Sequence, residues 1–138
     1  MNETESDWME NNSKKLSKTE RSRLKRQANP GGRVKTIETA IFVDHHLKSR
    51  FEGRLQDLKR LVLATMNEVQ LIYSYKSMKI PIRIVINKFE ILQNPEEGPN
   101  NAGGDIDKYL DNFCSWQARK YRATNQSSRW DHSLLLTG

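Results

Sequence analysis

Apolar residues are sparse and without period over residues 1–32 and become regular from Val34 onward. In residues 34–44 an alternating start (Val34, Thr36, Glu38) passes into an unbroken apolar run at 40–43, the pattern of a strand whose second half is covered on both faces. Asp44-His45-His46 then breaks the run. Over residues 50–75 the side chains Phe51, Leu55, Leu58, Val62, Met66, Val69, Ile72 and Tyr73 recur every three or four positions, which predicts a long amphipathic helix. A polar stretch and Pro81 close it, because proline has no N–H to continue the ladder. Residues 82–92 alternate again, with Ile82, Ile84, Ile86 and Lys88 on one face and Val85, Asn87, Phe89 and Ile91 on the other. The Pro-, Gly- and Asn-rich residues 93–104 read as a loop. Asp105 occupies an N-cap position for a second helix over 105–120 whose face is Ile106, Tyr109, Leu110, Phe113 and Gln117. A third strand follows at 131–137.

Strands joined by helical crossovers pair in parallel and with one hand, so these elements predict an α/β fold with three parallel strands, 34–44, 82–92 and 131–137, and two helices. Residues 1–33 are rich in Asn, Ser, Glu, Lys and Arg and end in Asn29-Pro30-Gly31-Gly32. Such a segment buries too little apolar surface to offset the entropy of ordering and is expected to be a disordered tail and linker.

The formal net charge of +6 changes this picture little, since half of it lies in residues 1–33 and half in 34–138. A nucleic-acid module is disfavoured, because no domain face concentrates the charge and no aromatic stacking platform accompanies it. No stretch approaches the roughly 20 apolar residues of a membrane span, and the first 15 residues are too polar for the core of a signal peptide. Three N-x-Ser/Thr sequons begin at Asn2, Asn11 and Asn125 and suit a secreted chain. Cys114, the only cysteine, reads either as a buried small residue or as half of a disulfide, with no neighbouring base to make it a catalytic thiol. His45, His46 and His132 read as loop and strand-edge residues rather than zinc ligands, because the adjacent pair points its rings apart. Trp116 reads as packing.

Several stretches taken together resemble the catalytic domain of the reprolysin metalloendopeptidases, and of the ADAMTS group in particular. They are Thr36-Ile-Glu-Thr-Ala-Ile-Phe-Val-Asp44; Leu63-Ala-Thr-Met-Asn67 with Val69 and Tyr73; and Ile84-Val-Ile-Asn-Lys-Phe-Glu-Ile-Leu92. Two more are Phe113-Cys-Ser-Trp-Gln117 and Trp130-Asp-His-Ser-Leu-Leu-Leu-Thr137. The resemblance covers residues 34–138 and implies a partial metzincin-type three-layer fold. The parent would be a zinc endopeptidase of extracellular or matrix proteins, secreted, and released from an inhibitory propeptide. Members carry His-Glu-x-x-His-x-x-Gly-x-x-His on a later helix, and this sequence has no such motif, so the chain alone is expected to be inactive, cut off before the zinc helix.

The resemblance also implies site residues. Glu38 and Asp131 correspond to ligands of a structural calcium ion, a partial site here. The run Arg21-Ser-Arg-Leu-Lys-Arg26 matches a proprotein-convertase site in which Arg23, Lys25 and Arg26 fill acidic subsites and cleavage falls before Gln27. A nuclear-import signal or a nonspecific basic patch are the other readings of that run. Cys114 would be disulfide-bonded to a cysteine downstream. The competing function is a truncated, non-catalytic secreted isoform that binds protein partners or glycosaminoglycan.

Overall fold

The structure, a computed structural model, describes residues 34–138. The tail over 1–33, its basic processing run at Arg23, Lys25 and Arg26, and the sequons at Asn2 and Asn11 lie outside the described residues. Along the rest, β1 (Lys35–Val43) leads into a short helix α1 (His45–Arg50) and a long one, α2 (Leu55–Tyr73). Strand β2 (Ile82–Ile91) follows, then α3 (Ile106–Ala123) and β3 (His132–Leu136). All three strands are parallel, in the order β2-β1-β3, so the expected α/β sheet is present with the first strand at its centre.

The apolar run explains that central place. Ala40, Ile41, Phe42 and Val43 have no solvent exposure, a condition only a strand paired on both edges and covered on both faces can meet. Alternation divides them between two clusters. Ala40 and Phe42 join Leu92, Phe113, Trp116 and Trp130 on the α3 face. Ile41 and Val43 join Leu58, Val62 and Met66 on the α2 face. Phe42 meets Trp116 at 4.9 Å, Trp130 at 5.9 Å and Phe113 at 6.2 Å between centroids, each edge-on, as aromatic quadrupoles prefer. The Lys120 ammonium stands 4.9 Å from the Trp116 centroid and pairs with Glu90.

Four boundaries or faces differ from the sequence reading. The helix expected over 50–75 starts only at Leu55, and a separate short helix, α1, which Asp44 caps, precedes it; the chain turns between the two through Gly53, whose φ of +74° suits a residue without Cβ. Register between β1 and β2 slips so that Thr39 pairs with Ile86 and Ala40 with Lys88, leaving Asn87 as a bulge. The bulge reverses parity, so Phe89 and Ile91 pack on the same cluster as Ile84 and Ile86 instead of on the opposite face. On α3 the buried stripe is Tyr109, Phe113 and Trp116, while Ile106 and Leu110 are 66% and 58% exposed. Residues 121–123 continue that helix beyond its expected end.

Strand β2 lies at an edge of the sheet, and α2 supplies a partner for its backbone. Gln70 Nε2 donates to the Ile82 carbonyl at 3.0 Å, and its Oε1 accepts from the Ile84 N–H at 2.7 Å, as a neighbouring peptide unit would. A side chain in that position blocks pairing with another strand.

Two outcomes test this packing. Phe42→Ala, which empties the centre of the aromatic cluster, is expected to lower stability by about 3–5 kcal/mol in urea titration. Burial alone would raise the Glu90 carboxyl above its ordinary value, but the hydrogen bond and charge of Lys120, helped by Lys88, bring it below. A depressed carboxyl stabilises the fold above its unfolded pKa and loses that contribution as pH falls through the folded value. Glu90→Gln should therefore flatten the decline of the urea midpoint below about pH 4.5, where the unfolded carboxyl begins to protonate.

Candidate functional site

Strand β1 carries a polar assembly at the start of β3 and another at its own C-terminal end. The first is a clasp between Glu38 and Asp131. The Asp131 N–H donates to the Glu38 carbonyl at 2.8 Å, and the Glu38 N–H donates back to Asp131 Oδ2 at 3.0 Å. These residues stand one step before the first register pair, Thr39 with His132, so the clasp begins the β1–β3 ladder. Both residues are exposed, and among the described residues neither enters an ion pair. Asp131 Oδ1 takes no hydrogen bond within residues 34–138.

Two uncompensated carboxylates on adjoining strands are oxygen donors of the kind a hard cation uses, and calcium tolerates the loose geometry of a strand edge. They supply only part of its usual six to eight oxygens. Among the described residues no group of three or more His, Cys, Asp or Glu stands close enough to hold a metal ion. The histidines do not fit a zinc centre. His45 and His46 open α1 with ring centroids 6.2 Å apart, and His46 Nε2 lies 2.9 Å from the Asn101 amide nitrogen. His132 begins β3, away from that pair.

The second assembly surrounds Asp44, which the sequence reading took only as a strand breaker. Its side chain is 3% exposed and every contact is a donor. Oδ1 accepts from the Leu47 N–H at 2.8 Å, capping α1. Oδ2 accepts from the Tyr109 hydroxyl at 2.8 Å and from Thr137 Oγ1 at 2.6 Å. Burial, then the hydrogen bond and charge of Asp44, push the Tyr109 phenol above its ordinary value. The signal for this arrangement was an Asp directly after an apolar run and three residues before Leu47, the spacing of an N-cap.

A cleft of about 440 Å³ opens beside it, lined in part by Asp44, His45, His46, Asn101 and Tyr109. Such clefts at the carboxyl ends of parallel strands often hold ligands. Here both carboxylate oxygens are engaged, by α1, α3 and the segment after β3, so the group acts as a lock among elements rather than as a free acid or base.

The remaining candidates are dispersed. Cys114 is exposed on α3, so the buried reading is withdrawn: the stripe that packs inward is formed by its neighbours Phe113 and Trp116. Trp116 is buried, as the packing reading expected, and its indole N–H donates to the Glu97 carbonyl at 3.0 Å. Asn125 lies exposed between α3 and β3. Among the described residues no helix is long and apolar enough to cross a membrane.

Asp44→Ala removes the cap and leaves two hydroxyls without their acceptor. Its expected cost is about 2–4 kcal/mol, combining a lost N-cap with unpaired buried polar groups. Tyr109→Phe, which removes one donor and keeps the cap, should cost about 1 kcal/mol in the same urea titration.

The human protein "A disintegrin and metalloproteinase with thrombospondin motifs 15" is 28% identical over 102 residues, 73% of this chain and 10% of that protein. The Caenorhabditis elegans "A disintegrin and metalloproteinase with thrombospondin motifs adt-1" is 28% identical over 113 residues, 75% of this chain and 8% of that protein. Human "A disintegrin and metalloproteinase with thrombospondin motifs 4" reaches 31% over 81 residues, 59% of this chain and 9% of that protein. The chain thus spans about a tenth of the length of the curated relatives it matches. No protein-family model matches it. The similarity to several relatives of one kind supports an ADAMTS, reprolysin-like region in this chain.

Proposed function

We propose that residues 34–138 are the upper, scaffold part of the catalytic domain of a secreted zinc metalloendopeptidase acting on extracellular or matrix proteins. The observation that carries the reading is the use the fold makes of the two most specific signatures. From Phe113-Cys-Ser-Trp-Gln117, Phe113 and Trp116 pack on Phe42, and from the Trp130–Thr137 stretch, Trp130 joins them while Asp131 clasps Glu38 and Thr137 closes on Asp44. Relatives bearing the name metalloproteinase support the class of activity.

The division of labour follows from the residues present. Peptide hydrolysis on zinc needs about three protein ligands and a carboxylate base, and the histidines here do not converge. Zinc chemistry therefore belongs to other residues of the parent protein, and the chain contributes the sheet on which they are held. Glu38 and Asp131 contribute to a calcium site at the clasp, where the ion would neutralise both carboxylates and tie the start of β3 to β1. Cys114, exposed on α3, pairs with a cysteine elsewhere in the parent. Arg23, Lys25 and Arg26 form the recognition site of a proprotein convertase that frees the catalytic domain from its propeptide.

The decisive experiment expresses the full-length parent and assays it on a matrix protein. Cleavage that a zinc chelator abolishes, with none from the 138-residue chain alone, is the expected result; a chelator-insensitive or inactive parent overturns the reading. In the active parent, Glu38→Gln or Asp131→Asn should remove most of the rise in melting temperature produced by calcium, and an unchanged rise overturns the calcium assignment. N-terminal sequencing of secreted parent should begin at Gln27 and lose that start in Arg26→Ala; mature protein still carrying the basic run overturns the processing assignment.

A further inference from the structure

We infer that Asn125 is an acceptor for an N-linked oligosaccharide, an inference that rests on the secreted reading above. The segment between α3 and β3 leaves the helix at Thr124 with φ −87° and ψ 141°, and Asn125 continues extended with φ −56° and ψ 142°. Residues 126–128 then form one 3-10 turn, and residues 125–128 are all exposed. The sequence Asn125-Gln126-Ser127 meets the acceptor rule, with a hydroxyl two residues on and no proline between.

Sequons arise by chance in Asn- and Ser-rich chains, so the state of the side chain decides. An asparagine in front of a helical turn ordinarily turns its side-chain oxygen onto the N–H groups that follow. Asn125 does not: its backbone carbonyl accepts from the Ser128 N–H at 2.9 Å, and its carboxamide makes no cap. Asn87, Asn94, Asn100, Asn101 and Asn112, by contrast, all commit their side chains to hydrogen bonds that hold loops or strand ends, and Asn67, exposed on α2 without such a bond, is followed two positions later by Val69. None of those five is followed two positions later by Ser or Thr. The one acceptor sequence among the described residues therefore coincides with an exposed carboxamide that the fold does not use.

The transfer is an ordinary substitution. The Nδ2 of Asn125 attacks the anomeric carbon of an oligosaccharide carried on a lipid diphosphate. A C–N bond forms, the bond from that carbon to the diphosphate oxygen breaks, and the lipid diphosphate leaves with the electron pair. The amide loses one proton to the transferase. No oxidant or reductant is needed. An oligosaccharide at this turn stays in water, so neither apolar cluster has to move to accept it.

The test translates the full 138-residue chain behind a cleavable signal sequence in the presence of endoplasmic-reticulum microsomes. Asn2→Gln and Asn11→Gln are included so that only one sequon remains. The protease-protected product should run one glycan slower, return to its original mobility with endoglycosidase, and lose the shift in both Asn125→Gln and Ser127→Ala. Ser127→Thr, which keeps the hydroxyl, should retain it. A protected product whose mobility endoglycosidase leaves unchanged overturns the inference. Because the signal sequence is supplied, that failure leaves the metalloprotease reading standing, whereas loss of chelator-sensitive cleavage in the parent would count against that reading and not against the glycan.

Discussion

Residues 39–43 lose nearly all contact with water, and the other elements are arranged so that this is possible. A strand in that position must have its peptide groups paired along both edges, since an unpaired buried N–H or C=O costs about 1–3 kcal/mol. It must also have an apolar layer on each face. Strands β2 and β3 meet the first demand, α2 and α3 the second. Each large apolar side chain fully withdrawn from water contributes roughly 1.5–3 kcal/mol, so Ile41, Phe42 and Val43 favour the arrangement strongly even before their partners are counted.

The ends of that strand are then fixed by charge rather than by apolar contact. At one end Asp131 holds Glu38 through a reciprocal pair of hydrogen bonds and leaves two carboxylates facing solvent. At the other, Asp44 is buried and gathers donors from a helix, a tyrosine and a threonine on its two oxygens. The same functional group thus does opposite things. Exposed, uncompensated oxygens at the clasp suit a cation, while buried oxygens that both hold donors suit a joint. This contrast is why the clasp, and not the cleft at the far end, is the better candidate for a bound ion.

Much of this was legible in the sequence where the signal was local. The apolar run at 40–43 announced a doubly covered strand, and Asp105 announced the start of α3, whose N–H at Lys108 it caps. What escaped depended on distant partners. The bulge at Asn87 is held by its carboxamide on the Arg129 carbonyl, 42 positions away, and alternation alone gives no hint of it. The face of α3 was misplaced because aromatic fit against Phe42 selects Trp116 over the more obviously periodic Leu110 and Ile106. Glu38 and Asp131 are 93 positions apart, so only the family resemblance brought them together before the fold did.

The central place of β1 also has a consequence for the order of events on the ribosome. It is the first strand to be synthesised, yet both strands that flank it come later, and the lock at Asp44 waits for Thr137, again 93 positions on. Contacts of such long sequence separation form slowly, because the loop between them must be closed before they repay its entropy. Until β2 and then β3 are made, the apolar run of β1 lacks strand partners on one or both edges, and exposed apolar segments of nascent chains are prone to aggregate. A central strand that is translated first thus waits longer for its second partner than a strand in a hairpin of the same length.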